Sequence, residues 1–123
     1  MRLKTGLITL IATTLTTSAA MADCRTIGFR FYPAQNDSIS TTGVTTGGSE
    51  CKHRFRSLAT LQLTSGAIVS RPSNGTLTEI GAMQFSYVPK TGYKGGDRYT
   101  VRVCGRGGGG FGCSTITYNI AIE

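Results

Sequence analysis

The chain is short of histidine, of acidic residues and of long apolar runs, and each shortage removes a class of function. His53 is the one histidine among 123 residues. It offers no catalytic triad, because the acids Glu50, Glu79 and Asp97 stand singly and no serine occupies a recognisable nucleophile motif. The four cysteines lack zinc-ligand spacing and have only that histidine to join them. Cysteine catalysis would need a free thiol. No metal, cofactor or enzymatic activity is therefore expected. The longest apolar stretch, Leu7 to Leu15, is diluted by threonine and falls short of the about 20 residues that cross a bilayer. No segment carries a sustained helical stripe, and no repeat is visible.

What is present points to export. Arg2 and Lys4 precede that apolar stretch, and Ala20-Met21-Ala22 supplies a small-residue cleavage site, so residues 1–22 read as a signal peptide and residues 23–123 as one mature domain. Asp23 departs from the small residue that a lipoprotein signal requires before its cysteine. Cys24, Cys51, Cys104 and Cys113 all lie in the mature part, and an even count in a small exported chain reads as two bridges in an oxidising compartment, periplasmic or extracellular. The whole chain carries a net charge of +7. Without Arg2 and Lys4, eleven basic residues face six acidic ones, which leaves about +5. That charge serves solubility, or it draws the domain to a protein or an anionic glycan or lipid surface. Nothing specifies a nucleic acid.

Alternation of period two dominates the rest. Residues 26–32 read as a strand ending at Pro33, with Ile27, Phe29 and Phe31 on one side. Residues 35–50 are polar and read as a long connection or weak edge strands. Leu58, Leu61 and Leu63 suit a strand with one irregularity, and Ala67-Ile68-Val69 another apolar run. Pro72 to Gly75 marks a turn, followed by strands at Thr76–Thr78 and Ala82–Val88. Short strands with regular turn signals predict an antiparallel β-sandwich of about seven strands.

The final hairpin sharpens this expectation. Tyr99, Val101 and Val103 are apolar at odd numbers, and Ile116, Tyr118, Ile120 and Ile122 at even ones. Placing Cys104 opposite Cys113 sets Val103 against Ser114, Val101 against Ile116 and Tyr99 against Tyr118. Both cysteines then share the outer face, within disulfide range. The predicted bridges are Cys104–Cys113 and, by remainder, Cys24–Cys51, although parity turns Cys24 outward and Cys51 toward the side of Phe55.

From about residue 70 to 123, the residues Pro72, Gly75-Thr76-Leu77, Phe85-x-Tyr87-x-Pro89, Gly92-Tyr93-x-Gly95 and Asp97-x-Tyr99-x-Val101 stand in an order that resembles the bacterial immunoglobulin-like modules of exported adhesins, of the cadherin-like tandem type. The resemblance implies an immunoglobulin-like sandwich and a non-enzymatic adhesion or scaffolding role. It departs where such modules often carry calcium-linked acids, a place taken here by Cys104 to Cys113.

Two features are candidates for binding. The loop Gly105 to Gly112 carries Arg106 and Phe111, types favoured at interfaces, on the end of a sandwich where contact loops gather; a spacer with Phe111 folded onto the core is the other reading. Lys52, Arg54 and Arg56 alternate with His53 and Phe55, giving a basic stripe for an anionic partner or a solvated strand face. Asp97 reads as a turn residue accepting backbone N–H groups, and Tyr87, Tyr93, Tyr99 and Tyr118 as core or corner tyrosines. The expected function is a non-catalytic binding domain using its last hairpin loop. A small inhibitor or envelope-stress effector is the alternative, and a hydrolase of acidic polymers is motivated by charge alone.

Overall fold

The computed structural model describes residues 23–123, together with Gly6 and residues 9–13. The leader expected over residues 1–22 lies, apart from those few positions, outside the described residues. No described helix is long and apolar enough to cross a membrane.

Among the described residues there are eight strands, one more than about seven: β1 (Cys24–Thr26), β2 (Ser38–Thr45), β3 (Cys51–Arg54), β4 (Leu61–Ser70), β5 (Gly75–Gly81), β6 (Gln84–Pro89), β7 (Gly95–Gly107) and β8 (Gly110–Ile122). One sheet has the order β1-β2-β8-β7-β4 and the other β3-β6-β5. They close on a shared core. Leu77, Phe85 and Tyr87 come from the smaller sheet, and Tyr99, Val101, Val103, Ile116, Tyr118, Ile120 and Ile122 from the larger. Alternation explains the choice, since each strand sends its odd or even set inward and leaves the polar set to water.

The closing hairpin has the predicted register. Cys104 opposes Cys113, Val101 opposes Ile116 and Tyr99 opposes Tyr118. The Cys104–Cys113 bridge forms across a Cα separation of 3.9 Å. Cys104 nevertheless ends only 7% exposed, beside a bulge in β4 between Leu63 and Ser65. Cys24–Cys51 also forms, across 5.2 Å, and ties β1 of the larger sheet to β3 of the smaller.

Two expectations about the N-terminal half are corrected. Residues 26–32 do not form a strand: β1 ends at Thr26, and Ile27 makes a single ladder bond to Thr42 O at 3.0 Å. Phe29 and Phe31 instead fold over the end of the sandwich, with ring centroids 6.1 Å from Tyr118 and 5.5 Å from Phe55. The polar stretch expected as a connection or weak edge strands instead supplies β2, an eight-residue strand between β1 and β8 that runs parallel to β8 from the Ser38–Thr115 pair to the Thr45–Ile122 pair. Ile39 packs half-buried against the core, the fully buried inward residues are Thr41, Gly43 and Thr45, and the two hydroxyls are satisfied. Thr41 donates to Ile27 O and Thr45 to Ser49 O, each at 2.8 Å, so burial costs little. The apolar run Ala67-Ile68-Val69 belongs to β4, together with Leu61 and Leu63.

His53 is buried between the sheets. Its ring stacks on Tyr118 with centroids 3.8 Å apart, and Nε2 lies 2.5 Å from the Tyr99 hydroxyl in a hydrogen-bonded pair. Burial pushes its pKa down from 6.5 to about 4, so the fold holds a neutral imidazole. Because the folded value is the lower one, its contribution is complete above pH 6.5 and is lost as pH falls toward 4. Urea unfolding should therefore show a loss of about 2.5 kcal/mol between pH 7 and pH 4.5 from this residue. Since His53 is the sole histidine, its imidazole proton resonance reports the same quantity. A midpoint near 6.5 in the folded protein would contradict the assignment.

Candidate functional site

The end of the sandwich that carries the β7–β8 turn exposes Tyr32, Leu58 and Phe111. The sequence predicts a loop from Gly105 to Gly112; the structure has a ladder instead. Gly105 opposes Gly112, Arg106 opposes Phe111 and Gly107 opposes Gly110, leaving Gly108 and Gly109 as a two-residue turn. Both turn residues have positive φ, +58° and +81°, which two-residue hairpins of type I′ require and glycine supplies at low cost.

The remaining glycines are explained by close packing rather than by looseness. A Cβ on Gly112 would stand 2.2 Å from Pro33 O, and one on Gly105 2.6 Å from Gln62 O. The hairpin stem is thus clamped between β4 and a 3-10 turn at Pro33–Gln35. Asn36 Oδ1 accepts from Cys113 N at 3.0 Å, Asp37 O accepts from Thr115 N at 2.9 Å, and Ser114 donates to the Asp37 carboxylate. These bonds and the disulfide hold the tip in one position.

Arg106 and Phe111 project from this rigid stem. The guanidinium carbon sits 5.7 Å from the Phe111 ring centroid, within cation–π range. Phe111 is 55% exposed, which rules out the spacer with its ring folded onto the core. A groove lies on either side of the tip. One, of about 510 Å³, is lined by Ala59 to Gln62, Arg106 and Phe111. The other, of about 840 Å³, is lined by Phe29 to Gln35, Arg56, Leu58, Leu61 and the glycines 107–110. It contains Arg30 and Arg56 but no carboxylate, and its Tyr32 and Leu58 are exposed.

The predicted basic residues separate on the fold. Lys52, Arg54 and Arg56 do face outward while His53 and Phe55 face inward, but only Arg56 reaches the hairpin end. Lys52 sits beside Glu50, Nζ to carboxylate 4.0 Å, on an exposed surface. Arg54 lies on the outer side of β3, opposite Gln84. Sequence reasoning missed Arg30, Phe29, Tyr32 and Leu58. The run Arg30-Phe31-Tyr32 carried the signal, a cation among aromatics, but its alternation also fits a strand.

The chain matches no protein-family description and no curated protein sequence.

Asp97 accounts for a second cluster, at the opposite end of β7. Its carboxylate accepts from Ser73 N at 3.0 Å, Asn74 N at 3.1 Å and the Tyr87 hydroxyl at 2.6 Å. It therefore receives backbone N–H groups as predicted, from a position on β7 rather than in a turn. Burial pushes the Tyr87 phenol above its ordinary value, with the hydrogen bond and charge of Asp97 adding to the shift. Among the described residues no group of three or more His, Cys, Asp or Glu is placed to hold a metal.

Proposed function

We propose that the protein is an exported immunoglobulin-like domain that binds a partner without catalysis, through the end of the sandwich that carries the β7–β8 hairpin. The strand order supports the immunoglobulin-like part: β3-β6-β5 facing β8-β7-β4 follows the pattern of such sandwiches, with β2 added beside β8. Two disulfides and the leader read from residues 1–22 support export to an oxidising compartment. The non-catalytic reading rests on the placement of the one histidine, buried and neutral against Tyr99 and Tyr118.

The observation that carries the reading is the Phe111 ring, held out to solvent by a clamped stem with Arg106 across it. A rigid aromatic anchor loses little conformational entropy on binding, and Arg and aromatic side chains are enriched among residues that carry binding energy. Arg30 and Arg56 in a groove without carboxylates favour a partner with acidic groups beside apolar ones. The partner class is a protein or an anionic envelope surface, with Arg106, Phe111 and Arg56 as contacts and Lys52 and Arg54 as distant electrostatic contributors. A second reading, an inhibitor whose hairpin enters a target's cleft, draws on the same wedge.

A binding screen against envelope glycans, anionic vesicles and secreted proteins, with a salt titration, tests both. Arg106→Ala and Phe111→Ala should each weaken binding at least about tenfold, while Lys52→Ala should change it by less than about twofold. Salt-tolerant binding to one protein would favour the inhibitor, and loss at moderate salt a charge-led surface role. Unchanged binding in both hairpin variants would remove the site.

A further inference from the structure

The larger sheet ends on β4, whose outer side no other strand covers among the described residues. We infer that this edge is a self-association surface, where two copies of the chain pair β4 with β4 antiparallel and extend the sheet across a two-fold axis. Such edges are normally blunted by shortness, charge or proline. The other three edges are. β1 has three residues, one of them Arg25; β3 has four, with Lys52 and Arg54; β5 carries Glu79. The ten residues of β4, Leu61 to Ser70, contain no charge and no proline.

Local structure narrows the free part. Leu61 N donates to Leu58 O at 3.2 Å and Leu63 N to the Ser57 hydroxyl at 3.0 Å, so the first residues are already capped. Bulges follow between Leu63 and Ser65 and between Ile68 and Ser70, and between them Ser65 to Ile68 pairs regularly with β7. Opposed residues in an antiparallel pair share a face, which restricts the register. Gly66 and Ile68 face the core side, opposite Val103 and Val101, while Ser65 and Ala67 face outward, opposite Cys104 and Arg102. A two-fold axis through Ala67 satisfies this parity. It sets Ala67 against its own copy and Gly66 against the partner's Ile68, a branched side chain over a residue with none.

Charge opposes the pairing of two copies least at this edge. Each mature chain carries about +5, so like copies repel over most of their surface. The nearest cation is Arg102 on β7. Three strand spacings would separate it from its equivalent, about 14 Å, beyond the Debye length of about 8 Å. A four-residue pairing is short and belongs among small, weak interfaces.

Sedimentation of the purified protein tests it. The expected result is a monomer–dimer equilibrium with Kd at or below about 1 mM, tightening as salt screens the repulsion. Ala67→Lys and Ser65→Lys should each weaken it at least about tenfold. Ala67→Cys should give a covalent dimer on mild oxidation, since directly opposed residues lie within disulfide range. A monomer at about 1 mM at both low and high salt would overturn the inference. So would a dimer indifferent to both lysines, or one weakened by salt.

Discussion

Asp97→Ala should lower the stability of the domain by about 4 kcal/mol, the largest effect expected of any single substitution here. The carboxylate is a shared acceptor for four donors: its neighbour Arg98 N, Ser73 N and Asn74 N in the turn before β5, and the Tyr87 hydroxyl on β6. Tyr87 has no solvent exposure, and its hydroxyl gives its hydrogen bond to Asp97. A buried donor left without an acceptor costs about 1–3 kcal/mol, more when the lost partner was charged. In a domain of this size the change should appear as a fall in Tm of about 20 °C. Asp97→Asn keeps one carbonyl oxygen and should lose about half as much. Tyr87→Phe combined with Asp97→Ala should be clearly less than additive, because the two side chains share one bond. A loss below about 1 kcal/mol for Asp97→Ala would mean that the cluster does not hold the turn to the sheet.

The second large effect concerns the bridge between the sheets. Cys24–Cys51 closes a span of 27 residues, against 9 for Cys104–Cys113. In the chain-entropy account these lengths correspond to about 3.5 and about 2.5 kcal/mol. The Cys24→Ser/Cys51→Ser pair should therefore be the more damaging, with a Tm fall of about 15–20 °C. The structure adds a reason. β1 has only three residues in the ladder, so without the bridge little holds the chain start against β2. Guanidinium unfolding of the two double variants, side by side, checks the order. If loss of Cys104–Cys113 proves the costlier, the hairpin depends on its covalent tie more than on the clamp made by Asn36, Asp37 and β4.

How much of this was legible beforehand varies by element, for identifiable reasons. The β7–β8 register was readable because side-chain parity belongs to each strand by itself, and among the alignments that keep both cysteines on one face only one sets them directly opposite. β2 was hard to read by the same method, since its fully buried residues are Thr41, Gly43 and Thr45, Ile39 alone adds an apolar contact to the core, and a search for apolar alternation passes over them. Their hydroxyls are satisfied only by Ile27 O and Ser49 O, which the fold brings near. Residues 26–32 failed in the opposite direction: the alternation is real, but Phe29 and Phe31 use it to cover the end of the core. At the candidate site, Arg106 and Phe111 were identifiable by type and position. The stiffness of their stem was not, because Gly105 and Gly112 are required by Gln62 and Pro33, residues distant in the chain.

The amino-acid order alone determined that residues 23–123 are all-β, that the last two strands pair with Cys104 beside Cys113, and that Asp97 serves backbone N–H groups. These follow from spacing along one or two neighbouring segments. The tertiary structure alone decided which strand lies beside β8, which basic residue joins Arg106 at the hairpin end, and which sheet edge stays open. Those outcomes depend on contacts between segments tens of residues apart, set by how the two sheets close over their shared core.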